Sequence, residues 1–199
     1  MPALTPRTAR DVRRTRETAV ELNLSLDGSG SVRVSTGIGF YDHLLTALAF
    51  HAGFDLDCSV EGDLMVDDHH TVEDTALALG RAFDAALGDR SGIARFGSAY
   101  APLDESLARA VVDCSGRPFA HIALGLTRPA IGTMACENID HFLASFATTA
   151  RITLHVDVLR GANDHHRAES ACKALALALR DAVQRRASTG VPSTKGSLT

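Results

Sequence analysis

Two five-residue stretches, His69-His70-Thr71-Val72-Glu73 and His165-His166-Arg167-Ala168-Glu169, decide how the rest of the chain is read. For this composition, two His-His-x-x-Glu matches arise by chance on the order of 1 in 10,000 times, so the pair marks a duplication. Each copy directly follows an aspartate, Asp68 and Asp164. Another 26 and 24 residues upstream stand the pairs Asp42-His43 and Asp140-His141. Both pairs lie in apolar helical patterns, FYDHLLTALAFHAG (40–53) and NIDHFLASFATTA (138–150). Each pattern is followed by a β-like run, FDLDCSV (54–60) and RITLHVDVL (151–159). The same order of elements therefore occurs twice, offset by about 97 residues.

Alternating hydrophobes over 19–26 and 152–159 predict strands. Helical spacing of Leu77, Ala78, Phe83 and Ala86, and of Leu175, Ala176, Leu179 and Val183, predicts the long helices. The first half is expected to hold strands at 17–26 and 31–35, a helix near 40–52, a strand at 54–61 and a helix at 69–87 closed by Gly88. The second is expected to hold strands near 107–114 and 118–125, a helix at 137–150, a strand at 151–159 and a helix at 165–186. The fold class is α+β: internally duplicated ββαβα half-domains related by a pseudo-twofold axis, with helices packed on one side of each sheet. The sheets are expected to pair or pack across that axis, because each half is too small to bury a good core alone. The expected organisation is an N-terminal arm (1–12), a first repeat (13–95), a second repeat (96–186) and a phosphate-binding tail (187–199).

Composition narrows the function. The chain has 199 residues, 45% hydrophobic and 22% charged, an ordinary globular balance. No apolar run approaches the roughly 18 residues of a membrane helix, and no hydrophobic stretch follows the Arg-rich start as a secretory signal would require. A formal net charge of −4 and the lack of tryptophan argue against a nucleic-acid partner. The widely spaced Cys58, Cys114, Cys136 and Cys172 form no CxxC pair or disulfide framework, which suits a reducing cytoplasm. Of 20 basic residues 18 are Arg; Lys173 and Lys195 are the only lysines, an indication that a compact ammonium matters at those two places.

Six of the nine histidines belong to the repeated motifs. On a helix, residues three or four apart share a face, so His70 with Glu73, and His166 with Glu169, can reach one ion each. Adjacent histidines point about 100° apart, so His69 and His70 cannot easily share a metal. The symmetric allocation is His43, His70, Glu73 and His165 for one ion, and His141, His166, Glu169 and His69 for the other. A nitrogen-rich set with one carboxylate and no thiolate allows Mn, Fe, Co, Ni or Zn. An ion preferring six ligands keeps positions open for substrate, which favours Mn²⁺. Asp68 and Asp164 are expected as helix caps, with outer-shell support of the histidines as the alternative. His51, two turns after His43, is a candidate for the substrate pocket, whereas His121 and His155 are read as structural. Arg95, Arg117, Lys173 and the tail Val191-Pro-Ser-Thr-Lys-Gly196 offer amides, hydroxyls and cations for an anion such as phosphate. Asp104-Glu105 is read as a loop or helix start, with carboxylates serving catalysis as the alternative.

Together TGIGFYDHLL (36–45), GDLMVDDHHTVEDTALALG (62–80), PLDESLARAVVDCSGRP (102–118), GANDHHRAESACKALALALR (161–180) and VPSTKG (191–196) resemble the imidazoleglycerol-phosphate dehydratase family, from about Arg13 to Leu198. The doubled Asp-His-His-x-x-Glu is specific to it, and no ligand position is missing. With no phosphatase domain attached, the chain resembles the monofunctional form, and its Ala/Arg-rich composition suggests a bacterium. The resemblance implies a lyase that dehydrates imidazole glycerol phosphate to imidazole acetol phosphate in L-histidine biosynthesis. It implies two Mn²⁺ ions per active site on the eight positions above, with ligands from more than one subunit. It implies a homo-oligomeric shell of two dozen subunits built from trimers. His43, His69 and His165 then face substrate as well as metal, Glu17 is the acid or base, and Arg95, Arg117, Lys173, Ser193 and Lys195 clamp the phosphate. Glu73 or Glu169 assists departure of the hydroxyl. A substrate ring held between two ions becomes an imidazolate that expels the hydroxyl, after which a base removes the neighbouring hydrogen. Two alternatives stand beside this: a dinuclear hydrolase acting on a phosphorylated small molecule, and a metal-storage or metal-sensing shell.

Overall fold

The computed structural model describes residues 5–186, 190–194 and 198. In the first half β1 (Thr8–Arg14), β2 (Thr18–Ser25) and β3 (Val32–Ser35) precede α1 (Gly39–Ala52), β4 (Asp55–Gly62) and α2 (His69–Leu87). In the second half β5 (Phe96–Leu103), β6 (Ser106–Asp113) and β7 (Phe119–Ala123) come first, then a small hairpin of β8 (Ala130–Ile131) and β9 (Met134–Ala135). That half ends with α3 (Cys136–Thr149), β10 (Thr153–Arg160) and α4 (Asp164–Val183). The two main sheets have the same order, β1-β2-β4-β3 and β5-β6-β10-β7, and in each the last pairing is parallel. The duplication and the α+β class therefore stand, but each half carries one more leading strand than hydrophobic patterning predicts.

Both extra strands are edge strands whose inward side chains are not large and apolar. In β1 the partly buried positions are Ala9, Asp11 and Arg13, and the last two pair ionically with α2, Asp11 with Arg81 at 2.6 Å and Arg13 with Asp74 at 2.8 Å. Residues 8–12, expected as arm, are thus part of the first sheet. In β5 the inward side chains are Gly97, Ala99 and Ala101, and a Cβ on Gly97 would come within 1.9 Å of the Ala178 carbonyl oxygen of α4. Small residues there let a helix lie close, which reads in sequence as no pattern at all.

The halves meet through helices rather than by pairing or stacking their sheets. Helices α1 and α2 cover the first sheet, α3 and α4 the second, and α1 packs on α4 while α2 packs on α3. Fully buried Tyr41 of α1 ties this layer together, donating from Oη to the Val72 carbonyl at 3.1 Å and meeting Phe142 edge-on at 5.2 Å. Close approach of α2 and α3 depends on Gly80, where a Cβ would lie 2.0 Å from Thr149 Oγ1 and 2.7 Å from the Phe146 carbonyl oxygen. Gly80→Ala is therefore expected to destabilise the fold by about 1–2 kcal/mol, the overpacking cost exceeding the roughly 1 kcal/mol helix-propensity gain. A denaturant melt measures this; an unchanged midpoint would show that the two helices separate at no cost. Among the described residues no helix is long and apolar enough to cross a membrane.

Candidate metal centre

The two helix crossings put one histidine from each half beside a glutamate of the other. Where α1 meets α4, His43 Nε2 and His165 Nε2 lie 2.9 and 3.1 Å from Glu169 Oε2. Where α2 meets α3, His141 Nε2 lies 3.2 Å from Glu73 Oε1 and His69 Nε2 lies 3.9 Å from Glu73 Oε2. In each trio the donor atoms all lie within 4.8 Å of one another. Imidazole nitrogens and one carboxylate, with no thiolate, fit a divalent transition metal.

This corrects the symmetric allocation. The first histidine of each pair joins the glutamate four residues on, not the second with the glutamate three residues on. Glu73 consequently sits with His69 and His141, and Glu169 with His43 and His165. The neighbouring rings are nearly perpendicular, 75° for His69 and His70 and 87° for His165 and His166, so one of each pair must face elsewhere. His70 Nδ1 turns to Asp63 at 3.0 Å, with Glu17 3.9 Å from its Nε2. His166 Nδ1 turns to Glu105 at 2.8 Å, with Asp104 3.9 Å from its Nε2. The hydrogen bonds that His70 and His166 donate to Asp63 and Glu105 raise the pKa of the two histidines. The His166 bond, then the amides of Asn163 and Ala162, holds the Glu105 carboxyl down at about 2. Asp104-Glu105, read as an ordinary loop, is therefore a partner of the second motif.

Helix starts are corrected as well. Asp68 makes no side-chain cap bond to α2 and Asn163, not Asp164, caps α4, accepting from the His165 amide at 2.9 Å. In the first half Asp67 accepts from the His69 amide at the same distance. Asp68 instead binds the Asn138 amide nitrogen (2.9 Å) and the Ala135 N–H (2.8 Å), and Asn138 Oδ1 meets His69 Nδ1 at 2.9 Å. Asp164 accepts from the Thr127 and Arg128 amides and shapes that loop. Asn138 was missed in sequence; its only sign there is its place three residues before His141.

Lys173 lies with the metal end of α4, its Nζ 2.6 Å from Glu169 Oε1. Burial opposes ionisation of Glu169, but the hydrogen bonds of Lys173 and His43 prevail and hold its pKa at about 2. His51, in the last turn of α1, has its pKa lowered by burial and then by Lys173. Arg95 and Arg117 lie elsewhere. The Arg95 N–H binds the Ala182 carbonyl, 13 residues beyond Glu169 and thus roughly 20 Å along α4. Its guanidinium holds Asp113 at 2.7 Å and the Pro192 carbonyl at 2.9 Å, while Arg117 reaches Asp113 at 3.7 Å. Ser193 belongs to this end, its amide bonded to the Val191 carbonyl, and Lys195 lies outside the described residues. Among the described residues, one chain therefore brings Lys173 of the expected phosphate clamp to a metal-binding trio, but not Arg95, Arg117 or Ser193.

Known proteins of one family resemble this chain over most of its length. A family model described as imidazoleglycerol-phosphate dehydratase matches residues 36–179. A protein of that name from Pyricularia oryzae is 53% identical, covering 97% of this chain and 98% of its own length. One from Phytophthora nicotianae is 62% identical over 92% of this chain, which spans 41% of that longer protein. The relatives at such identities are mostly fungal, whereas composition had suggested a bacterium. The crystal structure of imidazoleglycerol-phosphate dehydratase from Staphylococcus aureus superposes with a TM-score of 0.81 at 34% identity, covering 89% of this chain and 99% of that one.

Proposed function

The chain belongs to the imidazoleglycerol-phosphate dehydratase family and is a hydro-lyase of histidine biosynthesis, and from that premise we propose that it works as a dinuclear metal enzyme. The observation that carries the metal reading is the convergence of two histidines on one glutamate at each helix crossing. His43, His165 and Glu169 would hold one ion, His69, Glu73 and His141 the other, and Mn²⁺ suits sites that keep positions open. His70 and His166, turned outward, would complete sites on neighbouring copies. Shared sites would also bring the Arg95–Arg117 end of one chain to the metal end of another. Exposed Phe96, Tyr100 and Phe119 on the outer face of the second sheet supply apolar surface for such an assembly, two dozen subunits by family resemblance. Four free, buried cysteines suit a cytoplasmic location.

When bound, the two cations held by these trios would supply Lewis acidity that favours ionisation of an imidazole. The chain's own residues do the rest. Lys173, Arg117, Ser193 and Lys195 hold the phosphate and orient the ring, with His51 at its side. Glu17, exposed beside His70, exchanges the proton of the side-chain carbon or the departing hydroxyl. Arg95 acts mainly by holding Asp113 and the tail in place.

The deciding assay incubates metal-loaded protein with imidazole glycerol phosphate and measures both ketone and free phosphate. Ketone without phosphate is expected. Phosphate without ketone would establish the hydrolase alternative, and tight metal with neither product the storage alternative. Arg117→Ala is expected to raise KM about tenfold with a smaller change in kcat, the loss of one charge-assisted contact of roughly 1.5 kcal/mol. Steady-state kinetics measure this, and an unaltered KM would remove Arg117 from the clamp.

A further inference from the structure

The two trios come from duplicated elements, yet their surroundings are not duplicated. By the motif alignment Asn138 corresponds to Phe40, Asp68 to Asp164, and Lys173 to Leu77. At His69, Asn138 presents an oxygen to Nδ1 at 2.9 Å. Its orientation is set by Asp68, because a carboxylate accepts only and must face the amide nitrogen, leaving the oxygen for His69. Nδ1 of His69 is therefore the donor to Asn138, which holds the ring with Nε2 toward Glu73 and His141. At His165 the corresponding neighbour is the Phe40 ring, centroids 4.9 Å apart, which accepts no such hydrogen bond. The corresponding aspartate, Asp164, is committed to the Thr127–Arg128 loop. The carboxylate differs too: Glu169 already holds an ammonium at 2.6 Å, while the position matching Lys173 beside Glu73 is a leucine.

We propose that the two cation sites are unequal: the His69–Glu73–His141 site binds a divalent transition metal more tightly and fills first. The His43–His165–Glu169 site fills second, since its carboxylate is shared with Lys173. Asn138 is the positioning residue of the tighter site, acting through His69. This rests on the metal reading given above. Buried outer-shell partners of metal-bound histidines change affinity by about 10–100-fold, so the separation is measurable.

The test is a Mn²⁺ titration of the chelator-stripped, full-length oligomer, with free ion followed by electron paramagnetic resonance. Two classes of site are expected. Asn138→Leu should weaken the tighter class by about 10–100-fold and leave the other in place. The exchange Asp68→Asn with Asn138→Asp restores an acceptor for His69 and a donor for residue 138, and should recover the tight class. Should Asn138→Leu fail to fold, Lys173→Met serves: it should tighten the weaker class alone. A single class in the parent protein, or variants that move both classes alike, would overturn the inequality. No bound Mn²⁺ at all would instead overturn the dinuclear reading, and this inference with it.

Discussion

Glu169→Gln is expected to lower turnover by about 10³-fold or more, equivalent to roughly 4 kcal/mol of transition-state stabilisation, and to reduce bound metal from two ions per chain to one. Glu169 Oε2 is the atom on which His43 and His165 converge, so the amide would remove the anionic donor common to that trio. The amide oxygen can still accept from Lys173 within α4, and the crossing itself rests on the packing of α1 on α4, so the loss should not be unfolding. Elemental analysis after dialysis, beside kcat, measures both effects. Two ions per chain with normal turnover would take Glu169 out of the metal site and leave its Lys173 pair as structural.

Glu17→Gln should act in the opposite way. It is expected to reduce kcat by 10²–10⁴-fold, the usual contribution of a general acid or base, while metal content and substrate affinity stay near those of the parent protein. Glu17 is exposed, at the turn between β1 and β2, and its backbone carbonyl accepts from the Asp63 amide. Asp63 in turn holds His70, so the loop that carries Glu17 is coupled to the outward histidine. Retained kcat would exclude Glu17 from proton transfer. Retained kcat with loss of metal would instead make it a support for His70. The pair of results therefore separates chemistry from scaffolding.

Much of the site was legible because the duplication repeats residue types that chemistry uses sparingly. Spacing alone singles out His43, His69, Glu73, His141, His165 and Glu169 as candidate ligands. Which histidine meets which glutamate was not legible. Pairing His70 with Glu73 assumes that three-residue spacing governs, whereas the four-residue partner is the one that also meets a histidine from the crossing helix. Asn138 and Asp63 are not marked in the sequence, and Glu105 reads there as a loop or helix start, because a polar residue in sequence carries no mark of the ring it will touch.

The order of elements, their repetition and the candidate ligands belonged to the sequence alone, because hydrophobic period and local motif spacing are properties of a single segment. The edge strands β1 and β5, the layer of helices between two sheets and the exchange of glutamates between histidine pairs were decided by tertiary structure. Each depends on what lies across the gap: α2's Asp74 and Arg81 for the charged strand, α4's backbone for the small-residue one, α4's Glu169 for His43 and α2's Glu73 for His141. Packing brings His43 to Glu169, 126 positions away, and no local pattern encodes which partner a crossing helix will present.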